Sequence, residues 1–77
     1  MEEAFVLITC NEGHEGKILN ELNRIEAILA IYRIHGPYNI LIKIKGETID
    51  KIKEIITSEI KTIDKISYTL TLKVKIW

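Results

Sequence analysis

The sequence predicts an α+β domain of the ferredoxin-like βαββαβ class, an antiparallel four-stranded sheet with two helices on one face. Apolar residues recur at strand spacing and at helical spacing in separate segments. Those segments follow the order strand, helix, strand, strand, helix, strand. Right-handed crossovers then bring both helices to the same side of the sheet.

Residues 4–10, AFVLITC, are β-branched and aromatic with little charge, which predicts a strand buried on both faces. Asn11, Gly13 and Gly16 break it. From about His14 to Ala27, Ile18, Leu19, Leu22 and Ile25 fall at helical spacing, with Glu15, Lys17, Glu21 and Arg24 opposite. Residues 28–35, ILAIYRIH, are strand-like again, and Gly36-Pro37 is a turn signal. Asn39 to Lys45 alternates, with Ile40, Ile42 and Ile44 on one side and Leu41, Lys43 and Lys45 on the other. Thr48 fits a helix N-cap and Asp50 the first turn, and Ile49, Ile52, Ile56 and Ile60 carry an amphipathic helix to about Lys61. The last strand runs from Ile66 to Ile76. Its apolar positions are Ile66, Tyr68, Leu70, Leu72, Val74 and Ile76, and Ser67, Thr69, Thr71, Lys73 and Lys75 lie opposite.

One sheet face remains beyond the helices. It is expected to carry either Ala4/Val6/Ile8 or Phe5/Leu7/Thr9, together with Ile31, Leu41, Thr69 and Thr71. That face is too apolar to stay wet on so small a domain, and a second copy packed sheet to sheet is the economical cover.

The 77 residues make a single domain, 1–77, since so short a chain cannot support two cores. Eleven basic residues balance eleven acidic ones, without the basic excess of a phosphate-backbone binder. The single cysteine, Cys10, excludes an intramolecular disulfide and a CxxC metal knuckle. No apolar run approaches a bilayer span, and Met1-Glu2-Glu3 lacks a signal-peptide start. A reduced, cytoplasmic protein away from membranes is the consistent expectation. The seventeen isoleucines beside Lys and Glu fit an AT-rich source and a thermophilic one equally.

The chemical constellations are sparse. Cys10, Glu12 and His14 alternate, but glycine breaks the strand and no second cluster completes a metal site, so no metal and no cofactor is expected. Gly13-His14-Glu15-Gly16-Lys17 lacks the spacing of a phosphate loop. Lys43, Lys45, Lys73 and Lys75 would form a small cationic patch or simply solubilise strand ends. An enzyme would have to use His35, Tyr38 or Cys10, yet no nucleophile is paired with a base, so no enzyme is expected. His35-Gly36-Pro37-Tyr38-Asn39 is the most informative stretch. It displays an imidazole, a ring and an amide on a stiff turn, which suits a small zwitterion and equally suits a tight hairpin with Tyr38 packed on a neighbour.

IYRIHGPYNILIKIKG resembles the central hairpin of the Lrp/AsnC family's effector domain, also called the RAM domain. Gly36, Tyr38 and Asn39 stand in that family's Gly-x-Tyr-Asp pattern, and Thr69 and Thr71 in its last-strand Thr-x-Thr. The opening AFVLITCNEGHEGKILNEL is similar to the family's first strand, glycine turn and helix, so the resemblance covers nearly the whole chain. It implies a non-enzymatic sensor of an amino acid or related effector, with dimers joined through their sheets and assembled into rings. The effector would sit in clefts between dimers, with His35, Gly36, Tyr38, Asn39, Thr69 and Thr71 as the ligand-binding residues. Because the effector domain begins at Met1, the resemblance implies a stand-alone member of the kind found in archaea and some bacteria. Such a member lacks the helix-turn-helix domain, makes no direct DNA contact and acts on full-length Lrp/AsnC regulators by joining them. The other expectation is a structural partner in such mixed assemblies that binds no ligand. Asn39 departs from the family's aspartate and cannot offer a charge to an ammonium. Asp64-Lys65 replaces the family's frequent Pro-Gly in the turn before the last strand.

Overall fold

The computed structural model describes residues 1–73. Its elements follow the predicted order: β1 (Glu2–Cys10), α1 (Glu15–Leu22), β2 (Ile28–Arg33), β3 (Ile40–Gly46), α2 (Ile49–Ile55) and β4 (Ile66–Lys73). The last turn of the second helical segment, Ile56–Ile60, is π-helical. The strands form one antiparallel sheet in the order β2-β3-β1-β4. The architecture is therefore α+β and ferredoxin-like.

The core lies between the sheet and both helices. Ala4, Val6, Ile8 and Cys10 from β1 and Ile40, Ile42 and Ile44 from β3 pack with Ile18 and Leu22 from α1. Ile52, Ile56 and Ile60 close the cluster from the second helical segment. Thr48 caps that segment as expected, its Oγ1 accepting from the Lys51 N–H at 3.1 Å. Gly46 is needed where β3 meets α2, because a Cβ there would come within 2.8 Å of Ile52 Cγ1.

Several details differ from the sequence reading. The first helix ends at Leu22 rather than Ala27, because the Arg24 and Ile25 N–H groups turn to the Glu21 and Leu22 carbonyls, three residues back. Ile25 nevertheless packs on the core, so its spacing reported burial correctly and hydrogen bonding incorrectly. Strand β2 stops at Arg33 and not at residue 35. Strand β1 is fully buried on one face only, for Phe5, Leu7 and Thr9 are half-exposed. The expected continuation of the last strand through Val74, Lys75 and Ile76 lies outside the described residues.

The largest difference concerns the uncovered face. Directly paired residues point to the same side of a sheet. Leu7 pairs with Leu70 and Leu41, Phe5 with Leu72, and Thr9 with Tyr68. Tyr32 pairs with Leu41. The face away from the helices therefore carries Phe5, Leu7, Thr9, Leu41, Tyr32, Tyr68, Leu70 and Leu72. Thr69 and Thr71, expected there, pair with Ile8 and Val6 and lie on the helix side; so does Ile31, which pairs with Ile42. For the β4 residues the cause is a register shift between Thr9 and Cys10. It sets Ile66 opposite Cys10 and against the core, and one extra residue in β4 turns Tyr68, Leu70 and Leu72 to the other side. Of the two expectations for the lysines, the cationic patch does not form among the described residues. Lys43 meets Glu3 at 3.2 Å, Lys73 meets Glu2 at 4.0 Å on the opposite face, and Lys75 lies outside the described residues.

Candidate functional site

The loop between β2 and β3 is tied down at several points. Its ends are joined by the Ile34 N–H donating to the Asn39 carbonyl at 2.9 Å. The Asn39 N–H donates to the Ile8 carbonyl at 2.9 Å, and Thr9 Oγ1 donates to the Pro37 carbonyl at 2.9 Å. Gly36 turns the chain at φ +118°, a conformation that a side chain strains. These bonds dock the loop against the last residues of β1, so its shape is set by the sheet and not by the loop alone.

Asn39 is the key of this docking. Its Oδ1 accepts the Cys10 N–H at 2.9 Å and lies 3.7 Å from the Cys10 Sγ. The donors are unambiguous, so the oxygen must face β1 and the amide nitrogen must point elsewhere. The Cys10 thiol is buried beneath it. Burial pushes the thiol pKa up, the nearby Glu15 carboxylate adds to the rise, and the Cys10 backbone hydrogen bond and Arg33 oppose it.

Arg33 ends β2, and Glu15 opens α1. Arg33 Nη2 donates to Glu15 Oε2 at 3.2 Å, so an ion pair links the strand end to the helix start. Glu15, Arg33, Ile34, His35, Gly36 and Asn39 together line a cleft of about 460 Å³. Three of the predicted ligand residues, His35, Gly36 and Asn39, thus meet in one place. Tyr38 sits apart, its ring 6.3 Å from that of Tyr68 and tilted by 35°. Thr69 lines a second cavity of about 300 Å³ with Lys61, Ile66, Ser67 and Tyr68. Thr71 is exposed on the edge strand, opposite Val6.

Glu15 and Arg33 escaped the sequence reading because each looks like an ordinary solvated charge. Only the fold brings residues 18 positions apart into contact. Among the described residues no group of three or more His, Cys, Asp or Glu side chains is placed to hold a metal ion. No described helix is long and apolar enough to cross a membrane.

Known proteins place this geometry in a family. The model of the Lrp/AsnC ligand binding domain matches residues 3–74, and no curated protein matches the chain. The solved structure of E. coli AsnC is 29% identical with a TM-score of 0.88, covering 94% of this chain and 49% of its own. A Thermus thermophilus protein has a TM-score of 0.92 at 19% identity, covering 100% of this chain and 96% of its own. A Neisseria meningitidis transcriptional regulator, solved as an L-Met complex, has a TM-score of 0.87 at 8% identity, covering 97% of this chain and 50% of its own. The latter two likenesses show the fold alone. The chain spans about half the length of AsnC and of the Neisseria regulator. The family comprises regulators rather than enzymes, and these 77 residues, by the extent of the match, belong to the Lrp/AsnC ligand-binding domain family.

Proposed function

We propose that this domain binds an amino acid or a related small effector and thereby modulates transcription regulators of the Lrp/AsnC type. The observation that carries the reading is the docked Gly36–Asn39 loop, which with His35 walls a cleft holding both a cation and a carboxylate. A zwitterion needs both charges, and a rigid wall spares the entropy of ordering a loop on binding. The L-Met complex of the Neisseria regulator supports an amino acid as the class. The domain works as a homo-oligomer. Dimers form through the open sheet face and join into a ring, and a neighbouring dimer closes the cleft, bringing Tyr38, Thr69 and Thr71 of another subunit towards it. It acts in the cytoplasm and without touching DNA itself, through mixed assemblies with full-length regulators.

Isothermal titration of the intact chain with each proteinogenic amino acid tests the reading, with native mass spectrometry alongside. Heat with at least one amino acid and an even-numbered oligomer carrying its mass are expected. Heat from none of them sinks it. A second reading is favoured by one observation: the Asn39 oxygen is already taken by Cys10. On that reading the domain is a structural subunit of mixed rings and binds no ligand. Co-purification with a full-length regulator, without any ligand heat, is its signature.

A further inference from the structure

The cleft has a polarity that the sequence motif does not reveal. An aspartate at position 39 would give one oxygen to the Cys10 N–H and keep a second, negatively charged oxygen for a ligand. Here the first place is held by Asn39 Oδ1, and the second is an NH2 donor that makes no hydrogen bond among the described residues. Position 39 therefore cannot receive an ammonium. It can receive a carboxylate. Arg33 lines the same cleft and offers a fork of N–H donors suited to the same group. The one carboxylate lining the cleft is Glu15.

We propose that Glu15, Arg33 and Asn39 hold an α-amino acid zwitterion in this cleft, the ligand carboxylate on Arg33 and the Asn39 amide nitrogen, the ammonium on Glu15. The assignment rests on the amino-acid reading given above and adds its orientation and two residues outside the loop motif. The Arg33–Glu15 pair, at 3.2 Å, stands where the zwitterion would insert. It is exposed on the arginine side, and such a pair is worth little by itself, so parting it sacrifices little. Each partner then gains an opposite charge inside a cleft that a neighbouring subunit dries, where charge-assisted hydrogen bonds are stronger.

The test uses the intact chain and the proteinogenic amino acid giving the largest heat, with the deaminated acid of the same side chain as a second probe. Glu15→Gln is expected to weaken the amino acid about tenfold, the loss of one charge-assisted contact, and not to weaken the deaminated acid, which no longer competes with Glu15 for Arg33. Arg33→Gln weakens both probes. Asn39→Asp, which keeps the bond to Cys10, sets a negative charge beside the ligand carboxylate and also weakens both. Tighter amino-acid binding by Asn39→Asp would show that position 39 meets the ammonium and overturns the orientation. Wild-type affinity in both Glu15→Gln and Arg33→Gln overturns the site while leaving the amino-acid reading intact. If no proteinogenic amino acid binds the wild-type chain, that reading fails and the assignment fails with it.

Discussion

At the scale of single residues, two groups in the β1–β3 corner set the behaviour of the site. Asn39 supplies the acceptor for the Cys10 N–H. Asn39→Ala removes it and leaves a half-buried donor unpaired, which costs about 1–3 kcal/mol of stability. Urea denaturation monitored by circular dichroism reads this directly, and an unchanged midpoint would mean that water substitutes freely. Cys10 carries a pH dependence. Its thiol pKa is raised above the ordinary 9.0, first by burial and then by the Glu15 carboxylate. The folded state holds that proton more tightly than the unfolded state. The contribution is therefore complete below the ordinary thiol pKa and is lost as pH rises through the raised value. The stability gap between wild type and Cys10→Ala should narrow in urea melts taken from pH 8 upward. A constant gap would show that the thiol titrates alike in both states.

At the scale of elements, the turn into β4 shows how a local departure is tolerated. Lys65 adopts φ +74°, a left-handed conformation that a side chain disfavours. The turn is retained because the Lys65 carbonyl accepts the Asn11 N–H at 2.9 Å, fastening the start of β4 to the end of β1. Lys65 therefore holds a backbone shape to which glycine is better suited. Lys65→Gly is expected to stabilise the domain by up to about 1 kcal/mol, since glycine visits this region without strain. A rise of the thermal midpoint by a few degrees checks it, and a fall would mean that the lysine side chain contributes more than the strain costs. The register shift between Thr9 and Cys10 also acts at this scale. It turns one residue of sequence into a change of side for the whole apolar row of β4.

At the scale of the whole molecule, the open sheet face is the surface through which the proposed dimer would form. Tyr32 is 53% exposed, Tyr68 57% and Leu72 44%, with half-buried Phe5, Leu7 and Leu41 between them. A continuous apolar face on a small sheet calls for a cover. Leu70 lies on this face, on the edge strand β4, paired with Leu7. Leu70→Lys places an unpaired charge there and is expected to weaken the proposed dimer at least about a hundredfold, since a buried charge without a partner costs several kcal/mol. Sedimentation velocity should show the loss of association while far-ultraviolet circular dichroism stays unchanged, because the helix-side core does not include Leu70. A variant that still sediments as the wild type does would place the subunit contact elsewhere.

The sequence by itself determined the order of elements, the helix-side core of Ile40, Ile42 and Ile44, the Thr48 cap and the family. These follow from periodicity and short-range chemistry, which act between residues close in the chain. It also located the loop that docks beside the cleft. Only the tertiary structure decided which side of the sheet Thr69, Thr71, Tyr68, Leu70 and Leu72 occupy. Alternation groups residues on one face only while the pairing stays regular, and the irregular step at Thr9 and Cys10 parts Ile66 from Tyr68, Leu70 and Leu72. The meeting of Glu15 with Arg33 and the commitment of the Asn39 oxygen to Cys10 were equally beyond the sequence. Contacts between residues far apart in the chain exist only once the sheet has set its strands side by side, and the character of this cleft comes from such contacts.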